Sequence, residues 1–289
     1  MTHAHFESLR HLVHSAPTLS VWTRLCQTLE RFKADDRELA LDYVEAHLAS
    51  WPDQVRRYHC INIAQWTDAP PFWWRSVRSL SVQSRRSWRT RRRSGKVSMQ
   101  TRFTPMGQEG AEALAQSPQT SCLTHLDLED VHIKDDGVEA LSRSPHLAGL
   151  MSIDLESNSL GTRGVEALAN SPYMSNLRFL YLGRNYLWHD LTPLARSPYL
   201  TRVEHLNLGH TLISPRDAEL LATSPTLSNV THLYLHRTSI DMEGLEALAA
   251  SPSLKRLQYL DLEGNELPPQ EVQALFEASP ALQGVEVDL

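Results

Sequence analysis

Cysteine is scarce in this chain, and no apolar run approaches the ~20 residues that cross a membrane. The three cysteines, Cys26, Cys60 and Cys122, are odd in number, far apart and without a C-x-x-C pair. That excludes a disulfide framework and a zinc module, and points to a reducing compartment. The opening residues Met1–Glu7 lack the basic-then-apolar pattern of a secretory signal. The expectation is a cytoplasmic protein away from membranes. Also missing are G-x-S-x-G, a glycine-rich phosphate loop and H-E-x-x-H. Paired carboxylates such as Asp127 and Asp154 fall where an exposed sheet is expected, without the burial that tunes an acid. No catalytic residue, no cofactor and no enzymatic activity are therefore expected.

Acid is absent from one stretch. Residues 69–102 hold 10 Lys/Arg and no Asp or Glu, whereas residues 103–289 hold 11 Lys/Arg against 25 acids. Residues 1–68 are nearly balanced, with 7 basic and 9 acidic side chains. A basic block thus separates two segments of different electrostatic character.

What is present is a repeat. Leucine-rich anchors return at Leu123/Leu126/Leu128, Leu150/Ile153/Leu155, Leu177/Leu180/Leu182, Val203/Leu206/Leu208, Val230/Leu233/Leu235 and Leu257/Leu260/Leu262. The offsets are 27, 27, 26, 27 and 27 residues, and a shorter step of 25 reaches Leu282/Val285/Val287. Alternation sends Leu126 and Leu128 inward and His125, Asp127 and Glu129 outward on a short strand. Three residues past the last strand leucine stand Asn158, Asn185 and Asn265, with Val131, Thr211 and Thr238 in the same slot elsewhere. An inward Asn there can bond a turning backbone that would otherwise be buried unpaired. Good helix formers such as Glu166-Ala167-Leu168-Ala169 follow, and each helix runs into Ser-Pro, from Ser117-Pro118 to Ser279-Pro280. Proline lacks the amide proton a continuing helix needs, so the chain turns back.

The pattern L-x-x-L-x-L-x-x-N-x-L-x-x-x-G-x-x-A-L-A is whole in Leu150–Ala169 except for Ile153. It resembles the ribonuclease-inhibitor type of leucine-rich repeat over about residues 96–289. The Ser-Pro endings resemble repeats encoded in bacteria, some of which are paired with caspase-like or separase-like cysteine proteases. The resemblance implies an α/β fold. It is a leucine-rich-repeat solenoid with a curved parallel sheet inside, helices outside and an N-terminal helical cap. It also implies a protein partner, with a cysteine protease as one candidate.

Three regions are expected. Residues 1–74 read as a helical cap domain with most of the tryptophans, open to a second role as an effector. Residues 75–105 hold a first strand, Val77-x-x-Leu80-x-Val82, and an exposed Arg-rich loop. Residues 106–289 form the repeat domain. Met99 lies 27 before Leu126, which makes 96–122 a degenerate repeat of its own.

The outward positions stack into columns across the strands. The first reads His125, Ser152, Phe179, His205, His232, Tyr259. The second reads Asp127, Asp154, Tyr181, Asn207, Tyr234, Asp261, Glu286, and the third Glu129, Glu156, Gly183, Gly209, His236, Glu263. Aromatics are typical interface anchors, and acids at both ends favour a basic ligand. The expected partner site is this concave face. His205, His232, His210 and His236 suggest a metal, but no Cys or paired carboxylate completes a tetrahedral set, so none is expected.

For Arg85, Arg86, Arg89, Arg91, Arg92, Arg93 and Lys96, four readings stay open. They are a protease-cut linker, a lid on the acidic face, a nucleic-acid contact aided by Trp88, and a plain solvated loop. The acidic remainder of the chain disfavours nucleic acid. The final strand, Gly284–Leu289, has an open edge, which makes an edge-to-edge dimer a candidate.

Overall fold

The structure, a computed structural model, describes residues 2–32, 40, 42–44, 46–48, 57–60, 79–82, 106–187, 190–279 and 282–289. For residues 2–6, 19, 30, 57–60 and 79–82 it describes the backbone alone. The segment Arg85–Lys96 lies outside the described residues.

Two helices open the chain, α1 (Thr2–Val13) and α2 (Leu19–Glu30). Thr18 caps α2 by accepting from Val21 N, and Leu9, Trp22, Leu25 and Leu29 are buried. Ala40, Val44 and Leu48, spaced one helical turn apart, are buried too. These side chains belong to the same apolar cluster as the repeats.

Among the described residues, one parallel sheet of nine strands runs in strict chain order. Its strands are β1 (Arg57–Cys60), β2 (Ser79–Val82), β3 (His125–Asp127), β4 (Ser152–Asp154), β5 (Phe179–Tyr181), β6 (His205–Asn207), β7 (His232–Tyr234), β8 (Tyr259–Asp261) and β9 (Glu286–Asp288). Helices alternate with the later strands: α3 (Gly107–Gln116), α4 (Lys134–Ser142), α5 (Thr162–Ala169), α6 (Thr192–Ala195), α7 (Pro215–Thr223), α8 (Met242–Ala249) and α9 (Pro269–Ala278). From β3 to β8 the central residue of each strand is buried and its neighbours are half-buried. Leu126, Ile153, Leu180, Leu206, Leu233 and Leu260 therefore form one continuous row under the sheet.

Two hydrogen-bond ladders tie repeat to repeat. In the first, Asn185 Oδ1 accepts from Asn158 N and Leu160 N, both at 3.0 Å, and its amide donates to Leu155 O and Leu182 O at 2.9 Å. Asn158 does the same one repeat earlier, bonding Val131 N, Ile133 N and Leu128 O. Thr211 and Thr238 donate within their own repeat, to Leu208 O and Leu235 O, and Thr238 also reaches Asn265 Oδ1 of the next repeat at 3.4 Å. The second ladder is made by the serines of the Ser-Pro endings from Ser144 onward. Ser144 donates to Ala115 O at 2.5 Å, Ser224 to Ala195 O at 2.7 Å and Ser279 to Ala249 O at 2.5 Å. Ser171, Ser197 and Ser251 bond Ser142 O, Ala169 O and Ala222 O in the same way. Each closes a carbonyl that the end of the preceding helix leaves open.

Helix starts are handled locally or by a neighbour. Ser214 and Asp217 form a capping box on α7, and Asp241 caps α8 through Gly244 N. α5 has glycine at its cap and borrows one: Asp135 of α4 accepts from Gly161 N at 2.8 Å and Gly164 N at 3.1 Å.

Three sequence expectations change. β1 is a strand inside the stretch 1–74 read as helical, and it pairs with β2. Leu80 pairs directly with Leu126, so β2 and not a repeat starting near residue 96 precedes β3 in the sheet, and Met99 lies outside the described residues. β2 is thus the strand of the repeat that contains α3. Finally, Val287 pairs with Leu260 and Glu286 with Tyr259. The last step is a full repeat, not 25 residues, and Glu286 moves from the second outward column to the first. Asp288 takes its place.

Candidate functional site: the open face of the sheet

The outward columns lie across the face as the register requires. The first is His125, Ser152, Phe179, His205, His232, Tyr259, Glu286; the second is Asp127, Asp154, Tyr181, Asn207, Tyr234, Asp261, Asp288. His125, Asp127, Asp154, Glu156, Phe179, Tyr181, His205, His232, Tyr234, His236, Tyr259 and Asp261 are half-buried, while Glu129 and Glu263 are exposed.

Rings run unbroken over four strands. Phe179 and His205 have centroids 4.7 Å apart, and His205 and His232 stack at 4.0 Å and 13°. His232 meets Tyr259 at 5.8 Å, and Tyr259 meets Tyr234 at 5.4 Å. Thr231 gives its hydroxyl proton to Glu204 O, so its oxygen accepts from His232 Nδ1 at 2.9 Å. Neutral His232 then keeps its lone pair on Nε2. Burial, followed by the His232 neighbour, holds the pKa of His205 below its ordinary value. Tyr259 donates to Asp288 Oδ2 at 2.5 Å, a bond that raises its phenol pKa.

The second column also holds the backbone. Asp127, Asp154, Asn207 and Asp261 each accept, through Oδ1, from the N–H two residues on: Glu129, Glu156, Gly209 and Glu263. These Asx turns end the strands. The D-x-E and N-x-G spacing carried that signal in the sequence, where the residues were read only as ligand-facing.

Asp154 departs from the exposed carboxylate expected. Burial is the main reason its pKa is pushed up to about 7, and Glu156, Asp127 and Glu129 push the same way against the stabilising Glu156 N–H. Burial, then Glu129, raises Glu156 as well. Burial also raises the phenols of Tyr181 and Tyr234, helped by Tyr234 and Asp154 in the first case and Asp261 in the second.

Two glycines shape the middle of the face. A Cβ on Gly183 would come within 3.3 Å of Glu156 Cδ and 3.0 Å of Gly209 O. A Cβ on Gly209 would stand 2.2 Å from the His236 ring. The glycines let Glu156 and His236 lie flat over β5 and β6. Glu156 reaches across β5 to accept from Asn207 Nδ2 at 2.6 Å, and His236 Nδ1 lies 2.9 Å from Asp261 Oδ2. Sequence reasoning listed these glycines only as gaps in a column.

Among the described residues, no three of His, Cys, Asp or Glu gather as metal ligands, and no helix is long and apolar enough to cross a membrane.

A family described as Leucine Rich repeat matches residues 120–142 and 150–169. The fold is that of a leucine-rich-repeat solenoid. Among solved structures, the complex of Rad7 and Elc1 in yeast is similar at 14% identity and a TM-score of 0.53, covering 87% of this chain. An internalin from Listeria monocytogenes is similar at 19% identity and a TM-score of 0.38, covering 62% of this chain. This solenoid spans 59% and 56% of those two chains, respectively. At 14% identity the likeness to the Rad7 complex is one of fold. No curated protein matches it in sequence.

Proposed function

We propose that this leucine-rich-repeat chain is a non-enzymatic protein-interaction module whose partner docks on the open sheet face between β4 and β8. One observation carries the reading. Phe179, His205, His232, Tyr259 and Tyr234 form a continuous ring surface on the side of the sheet away from the core. The core packs on the other side of this sheet, and the rings, which here touch each other across the strands, leave a contiguous aromatic patch on the outward side. Aromatic anchors of this kind supply most of the energy of a protein interface.

The test is capture from native lysate with three baits: the wild type, a Tyr181→Ala/His232→Ala/Tyr234→Ala variant, and a helix-side Glu166→Ala/Glu246→Ala variant. A partner held by the first and third baits and lost by the second is the expected result. A partner held equally by all three contradicts docking on this face.

The resemblance to repeat proteins paired with cysteine proteases keeps a second reading for Arg85–Lys96, that of a cleavage segment. The sheet order changes its consequence. Because β1 and β2 belong to the same sheet as β3, a cut between them would not release the N-terminal residues as a separate unit. It would leave two pieces held by strand pairing.

A further inference from the structure

Taken in register, the second column reads Asp127, Asp154, Tyr181, Asn207, Tyr234, Asp261, Asp288. It is close to a palindrome, with two carboxylates on each side of a Tyr-Asn-Tyr centre. Tyr181 and Tyr234 stand on the strands flanking Asn207, so their backbones are roughly 10 Å apart at two strand spacings. A group over Asn207 is then ~5 Å from each ring, within the distance at which an aromatic face attracts a cation. Beside it, Glu156 lies over Gly183 and His236 over Gly209, and Glu156 is tied to Asn207 with one carboxylate oxygen.

We infer that the Tyr181–Asn207–Tyr234 centre receives an arginine side chain from the partner protein, its guanidinium between the two rings and facing the Asp154 and Glu156 carboxylates. This rests on the reading of the face as the docking surface, and it adds the chemistry of the group that docks. Charge complementarity selects the occupant. The slot has acid on both sides, and the residues that pave it are Asn207, Glu156 and His236, the last two lying over Gly183 and Gly209. Arginine suits it better than an ammonium, because a planar, weakly hydrated guanidinium can face a ring and bond a carboxylate together. Burial first, and then repulsion among Asp154, Glu156, Asp127 and Glu129, disfavours the negative charge here, with Arg184 and His236 offsetting part of it at Glu156, so an incoming guanidinium adds a favourable partner for these acids.

The probe is a capped Gly-Arg-Gly-Arg-Gly peptide, titrated calorimetrically into the full chain beside the same peptide with citrulline, the neutral isostere of arginine. The arginine peptide is expected to bind at least tenfold more tightly. Tyr181→Leu and Tyr234→Leu, which keep the net charge, each weaken it about tenfold or more, with circular dichroism confirming the fold. Glu271→Gln/Glu277→Gln on α9, which removes acid far from the slot, leaves it unchanged. Equal binding of the citrulline peptide, or an equal loss in the α9 variant, overturns the inference. So does retention of full affinity in the tyrosine variants. If the peptide shows no such preference while the captured partner still requires Tyr181 and Tyr234, the arginine site falls and the docking face stands.

Discussion

Single side chains in this molecule do two tasks at once, and Asp154 shows the cost. Its Oδ1 ends a strand by accepting from Glu156 N, yet the site is buried enough to lift its pKa to about 7. The folded chain holds that proton more tightly than the unfolded chain, whose carboxyl has its ordinary value of 3.8. Its contribution to stability is therefore most favourable below pH ~4 and declines as pH rises towards 7. Asn207 fills the equivalent position with a neutral amide and makes the same turn bond. Asp154→Asn should raise the Tm at pH 8, with the gap to wild type shrinking towards pH 4. A scanning calorimetry series over that range checks it, and a gap independent of pH would refute the burial argument. Asn185 is the opposite case, with every polar atom engaged. Asn185→Thr introduces a hydroxyl like that of Thr211 but loses the amide oxygen that accepts from Asn158 N and Leu160 N. Two buried donors left unpaired cost about 2–4 kcal/mol, a clear fall in urea midpoint.

The elements were the most legible part of the sequence, and their errors have a physical cause. Inward leucines every 27 residues announced β3 to β8, because each repeat must bury the same row. The last register slipped by two residues. A slip of two preserves which side chains face in, so alternation alone cannot distinguish Val285/Val287 from Val287/Leu289. Hydrogen bonding to β8 decides it. The Arg57–Cys60 strand was hidden by its brevity, since a four-residue alternation carries little signal. The Ser-Pro endings were read through proline as stops. The partner of each serine lies in the preceding repeat and emerges only when the repeats stack. Asp135 is the same kind of device. Gly164→Ala gains about 1 kcal/mol of helix propensity. Its Cβ, however, would stand 2.6 Å from Asp135 Oδ1 and 3.3 Å from Asp135 Cα, displacing the carboxylate that caps α5. Losing two charge-assisted bonds outweighs the gain, so a net loss of about 1–2 kcal/mol is expected in chemical denaturation. A stabilised variant would show that the cap contributes little.

At the scale of the whole molecule, the solenoid presents one long polar-aromatic face. The sequence foretold which residues it would carry. It did not reveal how the central glycines let Glu156 and His236 lie across neighbouring strands, because those contacts join residues 51 and 27 positions apart. The central claim is that a protein partner covers this face. Nitration of tyrosines in the captured complex, compared with the free chain, tests it most directly. Tyr181, Tyr234 and Tyr259 lie on the face, whereas Tyr173, Tyr186 and Tyr199 lie in the connections outside the strands. The account predicts that the partner protects the first three and leaves the second three as reactive as before. Protection of Tyr173 and Tyr199 with Tyr181 and Tyr234 still open would place the partner elsewhere and contradict it.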